Sequence, residues 1–169
     1  MDYLSFDNRE GYIWYNGNLL EWKNANVHVL NHGLHYASCV FEGERAYRGK
    51  IFETVKHTKR LFNSAKSLDM EIPFSEKEIV KANEILLEKN SLSDAYVRPV
   101  VWRGSEMMAV SAQSTKIHVA IAVWEWPSYF DPEQKMQGIK LDIAKWKRPS
   151  PDCGPVLAKA AGLYMICTL

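Results

Sequence analysis

The chain has 169 residues, 47% of them hydrophobic and 24% charged, enough for one domain with a full core or for one domain plus part of another. Its 21 basic and 20 acidic residues leave a formal charge of +1, which offers no electrostatic footprint for nucleic acid or a membrane surface. No apolar run is long enough to span a bilayer, and the first residues lack the basic and apolar regions of a secretory signal.

The first predicted element is a hairpin. Ile13-Trp14-Tyr15 and Asn18-Leu19-Leu20 flank Asn16-Gly17, the pair that supplies the positive φ of a type I′ turn. Val27-His28-Val29 reads as a short strand. Ser38 to Tyr47 reads as a longer one, turned by Arg48-Gly49-Lys50 into Ile51-Phe52. A helix capped by Thr54 follows, with Leu61, Phe62, Ala65 and Leu68 on one stripe. Ser75 and Glu78 form a capping box for a second helix, whose Ile79, Ala82, Ile85 and Leu86 keep helical spacing up to a stop at Asn90. Strands return at Ala95 to Trp102 and at Lys116 to Val123, both rich in β-branched residues. Pro127 to Pro132 breaks the pattern. Ile139 to Trp146 reads as another strand, before the rigid turn Arg148-Pro149-Ser150-Pro151. There are no internal repeats. The expected architecture is α+β: residues 1–130 form a small domain, an antiparallel sheet with two helices on one side. Residues 131–137 form a linker, and 138–169 begin a second, larger domain.

Three widely spaced cysteines, Cys39, Cys153 and Cys167, fit reduced thiols in a cytoplasmic protein better than a disulfide framework or a zinc site. The chemistry-bearing candidate is Lys159, set among Pro155-Val156-Leu157-Ala158 and Ala160-Ala161-Gly162-Leu163. Apolar crowding strips hydration from an ammonium and favours the free amine, which can attack a carbonyl carbon. The ordinary alternative is a lysine whose stem lies on apolar surface while its head reaches water. From Lys159 onward the residues suit a buried helix, yet the chain closes with no Gly or Asn cap and no basic last turn. The expectation is a fragment, whose missing part covers this helix.

Asn31-His32-Gly33-Leu34-His35-Tyr36, followed by Val40-Phe41-Glu42-Gly43-Glu44-Arg45-Ala46-Tyr47, resembles the N-terminal domain of branched-chain amino acid aminotransferases, fold-type IV enzymes that use pyridoxal 5′-phosphate. Further matches fall in order: Ile13 to Gly17, Lys59-Arg60-Leu61 with Ser64-Ala65-Lys66, Ala95-Tyr96-Val97-Arg98-Pro99, and Ala158-Lys159-Ala160 with Gly162 and Tyr164. The likeness runs from about residue 12 to the end, and five motifs in register carry it.

The resemblance implies that Lys159 bonds the cofactor aldehyde and carries the proton of the exchange. It implies that Arg60 grips the cofactor phosphate and that Tyr164 lies near its ring hydroxyl. Phe41, Tyr96, Trp126 and Tyr129 would wall a pocket for leucine, isoleucine or valine. Arg98 would meet the distal carboxylate of glutamate, with Tyr36 assisting. Tyr36 and the loop around Val110 would reach the neighbouring subunit's site, so a homodimer is the smallest expected unit. The substrates implied are an amino acid and a 2-oxo acid. For each residue the ordinary alternative is core packing, a solvated polar stripe or a structural ion pair. Ala161 and Leu163 depart from the family's glycine and asparagine, and residues 103–108 depart from its glycine-rich loop. The family's partner for the pyridine nitrogen would lie beyond residue 169, so the implied activity belongs to a complete protein. A D-amino acid aminotransferase, an aminodeoxychorismate lyase and a non-catalytic dimerising module stay open.

Overall fold

The computed structural model describes residues 5–126 and 132–167. A 3-10 turn at Phe6–Asn8 leads into a hairpin of β1, Tyr12–Tyr15, and β2, Asn18–Glu21. Its turn is the one the sequence predicts, with positive φ at Asn16 (48°) and Gly17 (93°). After a 3-10 turn at Trp22–Asn24 come a short helix α1, His32–Tyr36, and three strands: β3, Cys39–Phe41, β4, Glu44–Tyr47, and β5, Lys50–Ile51. Two 14-residue helices follow, α2, Thr54–Ser67, and α3, Glu76–Lys89. The long strands β6, Ala95–Arg103, and β7, Ile117–Trp124, complete the sheet. Helix α4 spans Pro132–Gln137, and 3-10 turns lie at Pro151–Cys153 and Ala161–Cys167.

The sheet runs β2-β1-β7-β6-β4-β5, with β3 also paired to β6, and every pairing is antiparallel. Alternation along the central strands sends Val97, Val101, Val119, Ile121 and Val123 to one face. There they pack with Leu61 and Ala65 of α2 and Ile79, Ala82 and Leu86 of α3. Fully burying each of the larger side chains contributes about 1.5–3 kcal/mol. The other face carries Tyr96, Arg98, Trp102, His118 and Trp124, and no long helix covers it among the described residues. The α+β layering expected from sequence is therefore the observed one.

Five local expectations give way. The predicted strand from Ser38 to Tyr47 is split at Glu42-Gly43 because Pro99 of β6 stands opposite. The Glu42 amide donates to the Pro99 carbonyl (2.8 Å), but proline has no N–H to return the bond. Val27-His28-Val29 is not a strand; Asn31 N closes a turn on His28 O instead (3.0 Å). Thr54 is the first residue of α2 rather than its cap, and its hydroxyl accepts from Asn83 Nδ2 (3.1 Å). Residues 139–146 are exposed and irregular, because no strand lies beside them to share a ladder among the described residues. The helix expected from Lys159 is replaced by an extended approach to β3 and the short 3-10 stretch. Lys159 O accepts from Phe41 N (3.1 Å) and Ala160 bridges Val40, which holds this backbone outside the helical region.

Candidate functional site

The split between β3 and β4 places chemistry on both faces of the sheet. Odd-numbered Phe41 points to the open face, and even-numbered Val40, Glu42 and Glu44 point toward α2 and α3. Gly43 sits where a side chain cannot: an added Cβ would collide with Tyr96 Oη. Its absence of a side chain lets the Tyr96 hydroxyl approach the backbone.

Lys159 enters along the free edge of β3. Its amide donates to Ser64 Oγ of α2 (2.9 Å), and its carbonyl takes the Phe41 amide. The backbone is thus pinned from two sides. The side chain is half-buried rather than enclosed, contrary to the expectation of an apolar burial site. Its neighbours flank it instead of covering it: Nζ donates to Tyr164 Oη (2.7 Å) and lies 4.6 Å from the centre of the Phe41 ring. The Tyr164 ring stands 5.0 Å from Phe41.

Beyond Phe41 the array continues across the open face. The Arg98 guanidinium lies 4.6 Å from the Phe41 ring centre, and its Nη2 donates to Tyr96 Oη (2.9 Å). Arg98 Nε is buried without a hydrogen-bond partner, so the guanidinium retains an unused donor. Tyr96 in turn packs against Trp124 (5.0 Å) and Trp126 (4.9 Å). The structure therefore brings Lys159, Tyr164, Phe41, Arg98, Tyr96 and Trp126 into one continuous array.

Arg60 of α2 stands on the helix side of the same edge. Its Nε and Nη2 grip Glu42 at 2.5 and 2.7 Å, and Glu42 Oε2 also accepts from His57 Nδ1 (2.9 Å). Burial pushes the Glu42 carboxyl up, but the hydrogen bonds from Arg60 and His57 outweigh it and hold the group below the usual range. Glu44, two residues on, behaves oppositely: burial, reinforced by the Glu42 charge, pushes its carboxyl up to about 7. Asn83 Nδ2 donates to Glu44 Oε1 (3.2 Å).

Two expected site residues sit elsewhere. Tyr36 packs on His32 (ring centres 4.7 Å apart) and is largely exposed, and Val110 is 82% exposed. His32 joins their two segments, because its Nε2 bonds the carbonyl of Ala109 (3.0 Å). Among the described residues, the ring contact of Tyr36 is to His32 rather than to the Lys159 array. Tyr129 lies outside the described residues.

Sequence reasoning passed over Glu42 and Glu44 as site residues. A usable signal was present. The alternation Val40, Glu42, Glu44, Ala46 puts two acids on the face of two small apolar residues, which demands partners for buried carboxyls.

Comparison with known proteins adds an independent line. The family model described as amino-transferase class IV matches residues 39–169. The branched-chain-amino-acid aminotransferase of Pseudomonas aeruginosa is 43% identical over 166 residues, covering 96% of this chain and 54% of that protein. Among solved structures, the Escherichia coli branched-chain amino acid aminotransferase superimposes with a TM-score of 0.88 at 35% identity, covering 95% of this chain and 55% of the other. The T.th. branched-chain amino acid aminotransferase, solved with pyridoxamine 5′-phosphate, gives 0.89 at 36% identity, covering 95% and 54%. The chain spans about half the length of the curated relatives it matches. With its sheet, its lysine segment and more than half of its length matched in one frame, the chain belongs to the class IV aminotransferase family.

Proposed function

We propose that the protein carrying this chain is a pyridoxal 5′-phosphate-dependent branched-chain aminotransferase. It would pass the amino group of L-leucine, L-isoleucine or L-valine to 2-oxoglutarate. The observation that carries this reading is the Lys159–Tyr164 pair, 2.7 Å apart, standing against Phe41 at the edge of an aromatic wall. The names of the most similar relatives supply the substrate class.

The residues present suit the cofactor's functional groups. An amine for an aldehyde, a hydroxyl for a ring oxygen and a half-exposed guanidinium for a phosphate all lie at one sheet edge. When bound, the cofactor supplies the electron sink for the exchange. The chain's own part is holding and proton transfer. Lys159 Nζ would carry the aldehyde bond at rest and, once displaced, move the proton from the substrate α-carbon. Tyr164 Oη accepts a hydrogen bond from Nζ and so orients the amine. Phe41, Tyr96 and Trp126 would exclude water and bury aliphatic substrate carbons, each methylene contributing about 0.8 kcal/mol. Arg98, with its unused Nε donor, would bind the distal carboxylate of glutamate or 2-oxoglutarate.

Tyr36 and Val110 would serve the site of a second subunit in a homodimer, and Tyr129 would close the pocket wall. Exposed Val29, Leu30, Leu34, Tyr36 and Val110 support such an association. No helix among the described residues is long and apolar enough to cross a membrane. Cytoplasmic residence is proposed on the three unpaired, widely spaced cysteines.

The test is spectroscopic and kinetic. The intact protein should absorb in the visible with cofactor, bleach on borohydride, and transfer amino groups from L-leucine. Lys159→Ala should abolish the reducible adduct. Activity on D-alanine alone would overturn the substrate assignment, and normal turnover by the Lys159 variant would overturn the mechanism.

A further inference from the structure

The proposed chemistry leaves the buried Glu42 carboxylate without a task. Glu42 is fully buried, and its backbone is fixed to the central strand through the Pro99 carbonyl. The Arg60 side chain that it holds is 52% exposed. One end of the pair is therefore rigid and dry, while the other faces outward beside the lysine edge. We infer that Glu42, assisted by His57, is a positioning residue: it fixes the plane of the Arg60 guanidinium and aims its outer edge at a phosphate monoester.

The donor inventory sets the geometry. A guanidinium has five N–H groups in a fixed fork. Glu42 takes the Nε–H and one Nη2–H from the side. The two hydrogens on Nη1 and the second on Nη2 remain, and one from each nitrogen forms the end-on pair suited to two phosphate oxygens. His57 completes the seat. Its Nδ1 and Arg60 Nη2 lie 3.4 Å apart, and both converge on Glu42 Oε2. An ionised carboxylate only accepts, so His57 donates its Nδ1–H to Glu42, and the 3.4 Å approach of Arg60 Nη2 to that nitrogen sets two donors side by side on one oxygen. Below neutrality Glu44 does not compete for the guanidinium, since burial pushes its carboxyl up to about 7. A buried ion pair is weak support for stability, because desolvation cancels most of the attraction. What this pair provides is direction.

The inference rests on the proposed cofactor reading, and its test separates the two. The intact apo-protein is titrated with pyridoxal 5′-phosphate and with phosphate-free pyridoxal, and each Kd is read from the adduct absorbance. Glu42→Gln should weaken the phosphorylated aldehyde by roughly tenfold or more, the factor that about 1.4 kcal/mol carries. Pyridoxal, which has no phosphate for Arg60 to hold, should bind as before. In an Arg60→Ala background the Glu42 substitution should have no further effect on either Kd. His57, partly exposed, provides a milder variant should Glu42→Gln not fold. His57→Ala should weaken only the phosphorylated aldehyde, and His57→Asn, whose amide can replace the Nδ1 donor, should restore it. Equal losses for both aldehydes, or a loss that persists undiminished without Arg60, would show a merely structural role and overturn the inference. A wild-type protein that binds neither aldehyde would instead overturn the cofactor reading beneath it.

Discussion

Glu42 and Glu44 point into the same apolar layer, yet one is held toward its charged form and the other is pushed toward its protonated form. The difference lies in their partners. Glu42 faces a guanidinium and an imidazole, whereas Glu44 faces the Asn83 amide and the Thr54 hydroxyl, and its Oε2 has no partner. A carboxyl raised in the folded state binds more protons there than in the unfolded chain. Its contribution to stability is thus complete below the ordinary range near 4.5 and is lost as the pH climbs through about 7. Glu44→Gln, which cannot ionise, should leave the Tm unchanged at pH 4 and raise it above wild type at pH 8, as a pair of thermal melts would show. Arg98 allows a second test at this scale. Arg98→Met should cost at least about tenfold in kcat/KM for 2-oxoglutarate, through the lost charged hydrogen bonds, while the half-reaction with L-leucine keeps its rate within a few fold. Lys159, Arg60 and Arg98 were legible as candidates because they lie in motifs. Glu42 was quoted in such a motif but hid its task, since only the packing of α2 over β3 shows what it holds.

Helix ends and strand breaks follow local rules where the deciding atoms are close in sequence. The capping box at α3 is present as predicted: Ser75 Oγ accepts from Glu78 N (3.3 Å), and Glu78 Oε2 returns a bond to Ser75 N (2.7 Å). Ser75→Ala should destabilise the protein by about 1 kcal/mol in a urea titration, with the m-value unchanged. Asn90 does end α3, and it goes further by bonding the backbone of Tyr12 in β1 (2.8 and 3.1 Å), a contact 78 residues away that no local pattern reveals. The loop between β6 and β7 is tethered the same way. Glu106 bonds His118 Nε2 (2.7 Å) and the Lys116 amide (3.0 Å), while His32 holds the Ala109 carbonyl. Glu106→Ala should release this loop, and its amides around Val110 should exchange with solvent faster by hydrogen–deuterium exchange while the β6 and β7 amides keep their protection. Pro99 falls inside the predicted strand from Ala95 to Trp102, but no local pattern marks it as the residue that splits the strand opposite it.

At the scale of the molecule, the antiparallel sheet and its two helices form one apolar layer that other parts of the chain lean on. Ile121 lies fully buried at its centre, within the cluster that includes Val97, Ile79 and Leu86. Ile121→Ala should lower stability by about 2–5 kcal/mol in denaturant unfolding, the range for a cavity in a packed core. The long central strands, both helices, the Asn-Gly hairpin and the α+β layering were readable from sequence. Hydrophobic period, turn chemistry and capping act within a few residues, so the chain carries them openly. The family's motifs were readable too, because they are short runs. Long-range pairing decided the rest: it left residues 139–146 without a strand partner among the described residues, drew Lys159 along β3 instead of into a helix, and seated Arg60 on a buried acid. Those outcomes depend on which backbone edge and which carboxylate lie within about 3 Å of a given group, a distance that only the assembled sheet and helices set.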